Sequence, residues 1–168
     1  MILIAAGSSL PFCGIDSQQI VLSAFSALSR LTDLRDVSPL YHTPAWPDPA
    51  DPPFVNAAAV IGTGLSPEAL LAVLHAIEVG FGRLRQRKNA PRTLDLDLIA
   101  YGQERRDGRK AVGDGAGLQL PHPRLAEREF VLAPLADIAA DWRSPETGKT
   151  VREMFAALPV RAAQQILR

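Results

Sequence analysis

The segment Thr93–Tyr101 reads Thr-Leu-Asp-Leu-Asp-Leu-Ile-Ala-Tyr, and its alternation constrains the chain more than any other feature. Leu94, Leu96 and Leu98 fall on one side of an extended segment, and Asp95 and Asp97 on the other. Such a strand must press its leucine face on a core while its acidic face meets water or a cation. Two residues apart on a strand, the carboxylates stand ~6–7 Å apart along the backbone. They repel there by ~2–3 kcal/mol at an effective dielectric of ~20. Two hard oxygen ligands with open coordination positions suit Mg²⁺, which takes one or two carboxylates together with substrate phosphates.

The rest of the chain supplies a sheet for that strand. Ile2–Ala6, stopped by Gly7-Ser8-Ser9, reads as a central buried strand; it lacks the basic flank and the length of a secretory leader. Asp16 can cap a helix carrying Ile20, Val21, Ala24, Leu28 and Leu31 at helical spacing. Leu34–Tyr41 reads as a strand interrupted by Pro39, and Phe54–Thr63 as another. Ser66-Pro67-Glu68 opens a second helix with its apolar stripe at Leu70, Val73, Leu74, Ile77 and Phe81, stopped by Gly80 and Gly82. The order β-α-β-β-α-β over residues 2–101 predicts a ferredoxin-like α+β sandwich. Appended to it are Gln103–Gly117, a polar loop or hairpin tip, a short strand at Leu118–Leu120, and helical patterns broken by prolines.

The 168 residues suit one domain spanning 1–168, and a chain of this size buries roughly 70% of its extended surface without a disulfide or metal staple. Its single cysteine, Cys13, fits a reducing cytoplasm. The 18 basic residues balance 18 acidic ones, which argues against bulk-charge binding of nucleic acid or membrane. Any anion site must therefore be built by local concentration.

That concentration precedes the acidic strand. Arg83, Arg85, Arg87, Lys88 and Arg92 put five cations into ten residues that hold no acid. Guanidinium forks match phosphate oxygens, so cations beside magnesium-binding carboxylates form the two halves of a polyphosphate-transfer site. Phe54 and Asn56 share a strand face, with Thr43, Pro44 and Trp46 across the proline-rich 44–53 segment and Phe130 further on. An aromatic slot with a few aimed polar groups suits a flat, hydrogen-bonding heterocycle. Gly148-Lys149-Thr150 is not a phosphate loop, because Arg143 stands where a glycine is required. Aromatics at 6% and the lack of an RNP1-type string count against an RNA-binding module, and no third acid nearby supports a metal nuclease.

Taken in order, several segments resemble the 6-hydroxymethyl-7,8-dihydropterin pyrophosphokinase family over nearly the whole chain. They are Ala6-Gly7-Ser8, Tyr41-His42-Thr43-Pro44, Phe54-Val55-Asn56-Ala57, Gly82–Arg85, Pro91–Asp97, Leu120–Pro123 and Arg128-Glu129-Phe130. The resemblance implies transfer of the β,γ-pyrophosphoryl group of ATP to the pterin hydroxymethyl oxygen, with release of AMP. It implies that Asp95 and Asp97 hold two Mg²⁺ ions and that Arg83 and Arg92 neutralise charge at the attacked phosphorus. Arg85, His75, Glu78 and Leu98 would border the ATP, and His122 and Arg128 the phosphates or the adjacent hydroxyl. The pterin would stack between Phe54 and Phe130, read by Asn56 and the backbone of Thr43, Pro44 and Trp46. Pro44–Pro53 and Arg83–Ala90 would be lids. The expected partners are the two small molecules, with no nucleic acid or membrane, and the expected state is a cytoplasmic monomer. Ser9, His75, Phe54, Asn89-Ala90 and Gly117 depart from the commonest family pattern.

Overall fold

The computed structural model describes residues 1–45, 50–83, 91–108, 117–159 and 165–167. In chain order the elements are β1 (Ile2–Ser8), α1 (Ser17–Ser29), β2 (Asp33–Val37), β3 (Leu40–Thr43), β4 (Phe54–Gly62), α2 (Pro67–Gly80), β5 (Asp95–Tyr101), α3 (Glu129–Ile138), α4 (Val151–Ala156) and β6 (Gln165–Leu167). The sheet runs β5-β1-β4-β3-β6, every ladder antiparallel, and β2 also pairs with β4. This is the expected ferredoxin-like arrangement with additions.

Local chemistry explains the element boundaries. Asp16 accepts from the Gln19 amide at 2.9 Å and opens α1 as half of a capping box. Ser66 accepts from the Ala69 amide and Pro67 takes the first helical position of α2, where its missing N–H costs nothing. The interrupted strand 34–41 becomes β2 and β3, laid end to end along β4. At the break Pro39 has no N–H, and Ser38 compensates: its amide donates to Ala58 O and its hydroxyl accepts from Ala58 N, both at 2.9 Å.

Both faces of the sheet are covered. Ile2, Ile4, Ala6, Leu96 and Leu98 pack under α1 and α2 with Ile20, Leu28, Leu70 and Leu74. Leu3, Ala5, Ala58, Val60 and Ile99 pack under α3 and α4 with Leu132, Leu135, Val151 and Met154. Strands β1 and β4 are consequently buried on both sides, each large side chain contributing ~1.5–3 kcal/mol. The additions after β5 are thus the third layer of the molecule.

Three sequence expectations are corrected. Leu31 is 57% exposed, because α1 ends at Ser29 and the turn that follows rotates it off the stripe. The strand expected at Leu118–Leu120 reduces to a single bridge between Arg106 and Leu120, with Gly117 bonded to Gly108 below it. Pro134 does not break its helix but lies buried inside α3, where packing on β4 offsets the lost backbone bond. Among the described residues no helix is long and apolar enough to cross a membrane.

Leu74 and Leu132 are fully buried, one on each face of the sheet. Leu74→Ala and Leu132→Ala should each lower the unfolding free energy by ~2–5 kcal/mol. Urea titration followed by far-ultraviolet circular dichroism measures this, and both variants should unfold in a single transition.

Candidate active site

The leucine–aspartate alternation behaves as strand geometry requires. Leu94, Leu96 and Leu98 enter the core under α1 and α2, whereas Asp95 and Asp97 stand opposite Gly7 and Ala5 of β1, on the face that α3 covers further along. Their side chains are 26% and 31% exposed. The acids therefore share an accessible face beyond the first turn of α3.

A cross-strand row forms the floor of this region. Asp95 is opposite Gly7, Gly7 opposite Asn56, and Asn56 opposite Tyr41. With strands ~4.8 Å apart, only Gly7 separates the backbone of Asp95 from that of Asn56. A Cβ on Gly7 would lie 2.8 Å from Asn56 Oδ1 and 3.8 Å from the Phe54 ring, so glycine here leaves room for the amide. Asn56 Nδ2 donates to Thr43 Oγ1 at 2.7 Å, and both residues are nearly buried. Tyr41 donates its hydroxyl to Asp137 of α3 at 2.7 Å, tying the row to the third layer. Phe54 is half-buried beside the row, and Pro44 is exposed.

Guanidinium groups occupy the acids. Arg83 and Arg92 each place Nη1 2.8 Å from an Asp95 oxygen, and Arg128 Nη1 donates to Asp97 Oδ2 at 2.9 Å. Arg128 also lies 5.6 Å over the ring of Phe130, itself 39% exposed. Glu78, which the resemblance sets beside the ATP, is 2% exposed. Its carboxylate accepts from Arg83 and, at 2.7 Å, from the Leu96 amide on the outer edge of β5. The Leu98 side chain is buried, so by strand alternation only its backbone, on that same outer edge, can meet a ligand. His75 is half-buried on α2. His122 is half-buried after Pro121, its amide donating to Ile99 O at 2.8 Å. Arg85 and Trp46 lie outside the described residues, as do residues 46–49 of one expected lid and 84–90 of the other.

Burial shapes the charges. It raises the Asp95 carboxyl above the ordinary aspartate value, with Asp97 adding repulsion, while Arg92, Arg83 and Arg128 pull it back. Burial likewise raises Glu78, against the Leu96 amide and Arg83. Burial lowers the His122 imidazole, opposed by Asp97 and assisted by Arg128 and Arg124. As a donor set for Mg²⁺, two half-exposed carboxylates on one strand face fit a hard cation that draws its other ligands from water and phosphate. Among the described residues no cluster of three or more such ligands exists.

A family model for 7,8-dihydro-6-hydroxymethylpterin-pyrophosphokinase (HPPK) matches residues 3–140. The chain belongs to the HPPK family. The 2-amino-4-hydroxy-6-hydroxymethyldihydropteridine pyrophosphokinase of Pseudomonas aeruginosa is 38% identical over 168 residues, covering 98% of this chain and 96% of that one. The protein of the same name from Synechocystis is 45% identical over 107 residues, 64% of this chain; the match spans about half (51%) of the relative. An HPPK-DHPS chain solved in complex with substrates superposes with a TM-score of 0.65 at 14% identity, over 93% of this chain and 43% of its own. A triple mutant of Plasmodium falciparum HPPK-DHPS gives 0.67 at 12% identity, over 92% and 43%. At those identities the likeness to the solved structures concerns the fold. The family resemblance carried by the Pro91–Asp97 string is thereby borne out.

Three residues of this HPPK-family site were missed or misread from sequence. Gly7 and Ser9 enter the sequence reading as part of a strand stop and as family markers, without a role in the site, and Ser9 is 5% exposed with its hydroxyl 3.1 Å from the Arg92 amide. Glu78 lies at helical spacing from His75, which places it beside the stripe but cannot show that the packed fold buries it.

Gly7→Ala should cost ~1–3 kcal/mol of stability by overpacking Asn56. Gly80→Ala, whose Cβ would meet nothing within 4 Å, should be neutral or stabilising; urea midpoints compare the two. A second expectation concerns pH. With Asp95 and Glu78 raised, the folded chain holds more protons than the unfolded chain between the ordinary and the raised carboxyl values. Unfolding free energy of the ligand-free protein should therefore fall as pH rises through that window. Denaturant titrations across acidic pH measure the slope, and Asp95→Asn should flatten it.

Proposed function

We propose that this chain transfers a pyrophosphoryl group from ATP to the hydroxymethyl oxygen of 6-hydroxymethyl-7,8-dihydropterin, releasing AMP, as a step of folate biosynthesis. The observation that carries the reading is the direct contact between Asp95 and Asp97 and three guanidinium groups on one accessible sheet face. In the reaction the hydroxymethyl oxygen bonds to the β-phosphorus and loses its proton. The bond from that phosphorus to the oxygen bridging to the α-phosphate breaks, and its electrons leave with AMP.

The protein's share is positioning and charge. Asp95 and Asp97 would hold two Mg²⁺ ions, which when bound neutralise phosphate oxygens and polarise the attacked phosphorus. Arg83 and Arg92, released from Asp95, would meet charge on the transferred group, and Arg128 would do so from the opposite side. Asn56 offers its oxygen over Gly7 to a donor edge of the pterin, while Thr43 holds the amide orientation. Phe54 and Phe130 would stack on the ring, with Pro44 and Trp46 at its rim. The outer edge of β5 at Leu98, with His75 and Glu78 on α2, would border the nucleotide, and Arg85 and His122 its phosphates. Closure of the 44–53 and 83–90 segments would exclude water. Residues 1–168 act as one pyrophosphokinase domain, a monomer working in the cytoplasm on two small molecules.

Incubation with ATP, Mg²⁺ and the hydroxymethyl-dihydropterin should yield AMP; ADP as product, or no turnover, would overturn the reading. Asp97→Asn should lower kcat/KM by ~100-fold or more, the worth of several kcal/mol of metal clamping. Unchanged turnover in that variant would sink the carboxylate assignment.

A further inference from the structure

Ser9 follows β1 and is 5% exposed, yet none of its hydrogen bonds to Arg92 belongs to a sheet ladder. The Ser9 amide donates to Arg92 O at 3.0 Å, and the Leu10 amide reaches the same oxygen at 3.2 Å. In return the Arg92 amide donates to Ser9 Oγ at 3.1 Å. Both backbone polar groups of Arg92 thus end on residues 9 and 10. Residues 91–94 belong to no helix or strand, so the ladder that aligns Asp95 does not align Arg92. From this anchored peptide the Arg92 guanidinium reaches Asp95 Oδ2 at 2.8 Å.

We infer that Ser9 is a positioning residue for pyrophosphoryl transfer: its hydroxyl fixes the Arg92 peptide, and through it the direction in which the guanidinium is presented. The inference rests on the function proposed above. Nearly buried, Ser9 would act through Arg92 rather than on the substrate. Its effect is one of leverage, because a ~10° rotation of the Arg92 peptide moves a guanidinium ~6 Å away by ~1 Å, a displacement of the size that costs ~100-fold in rate. Without the hydroxyl the Arg92 amide loses its acceptor in a part-buried setting and must turn to find another. The opposing bonds from Ser9 N and Leu10 N remain, so the segment stays attached while its orientation is lost.

The test is a double-mutant cycle over wild type, Ser9→Ala, Arg92→Ala and the double variant, reading kcat, KM for ATP, affinity for a non-hydrolysable ATP analogue and melting temperature. Ser9→Ala should lower kcat ~10-fold or more while analogue affinity stays within ~3-fold, and it should cost nothing further once Arg92 is alanine. Multiplicative losses in the double variant, or an unchanged kcat in Ser9→Ala, would overturn the inference. Should Ser9→Ala fold poorly, Ser9→Cys keeps the volume and weakens the acceptor, and the same cycle applies. Hydrogen exchange separates this inference from the function it rests on. The Arg92 amide should be protected in wild type and lose protection in Ser9→Ala whether or not the protein makes AMP, and an unprotected Arg92 amide in wild type would reject the anchor.

Discussion

One buried carboxylate joins the scaffold to the site. Glu78 reaches from α2 to the outer edge of β5, the last strand on that side of the sheet among the described residues, and takes up the Leu96 amide. An open strand edge invites pairing with foreign chains, and a polar group placed across it removes the template. The same carboxylate takes Arg83, which continues to Asp95. Burying an acid is unfavourable unless it is paired and hydrogen-bonded, and here both conditions are met. Removing the side chain would leave Arg83 and a strand amide short of a partner together, so strand edge and reaction centre cannot be altered separately.

The three-layer build determines where ligands can enter. Among the described residues, helices α1 and α2 cover one face of the sheet, and α3 covers the other only as far as Arg128. Among the described residues, α3 leaves uncovered the end of that face bearing Asp95, Asp97, Phe54 and the Gly7–Asn56 floor. A heterocycle and a polyphosphate placed there share one surface. The floor is lined by polar atoms already oriented within the sheet, and the acids beside it by ion-paired guanidinium groups.

Much of this was legible in the sequence because strands and caps have short-range rules. Period-two alternation alone separates Leu94, Leu96 and Leu98 from Asp95 and Asp97, and Asp16 and Ser66 announce their helices through side chains that bond three residues ahead. The Pro91–Asp97 string carries the family. The parts that escaped are products of tertiary packing. Nothing in a helical pattern says that a glutamate such as Glu78 will be driven inward by a strand edge it cannot foresee. Pro134 suggests a break, yet a helix held against β4 tolerates it. Ser9 stands in a short polar run whose meaning depends on a peptide more than eighty residues away.

The pairing of each acid with a guanidinium has a consequence for how the resting protein treats its surroundings. On the function proposed above, loading would be an exchange of counter-ions rather than the filling of a vacancy. A divalent cation arriving alone must break ion pairs and strand arginines, and a polyphosphate arriving alone must strand carboxylates. On the function proposed above, only the two delivered as a complex would leave every charge matched.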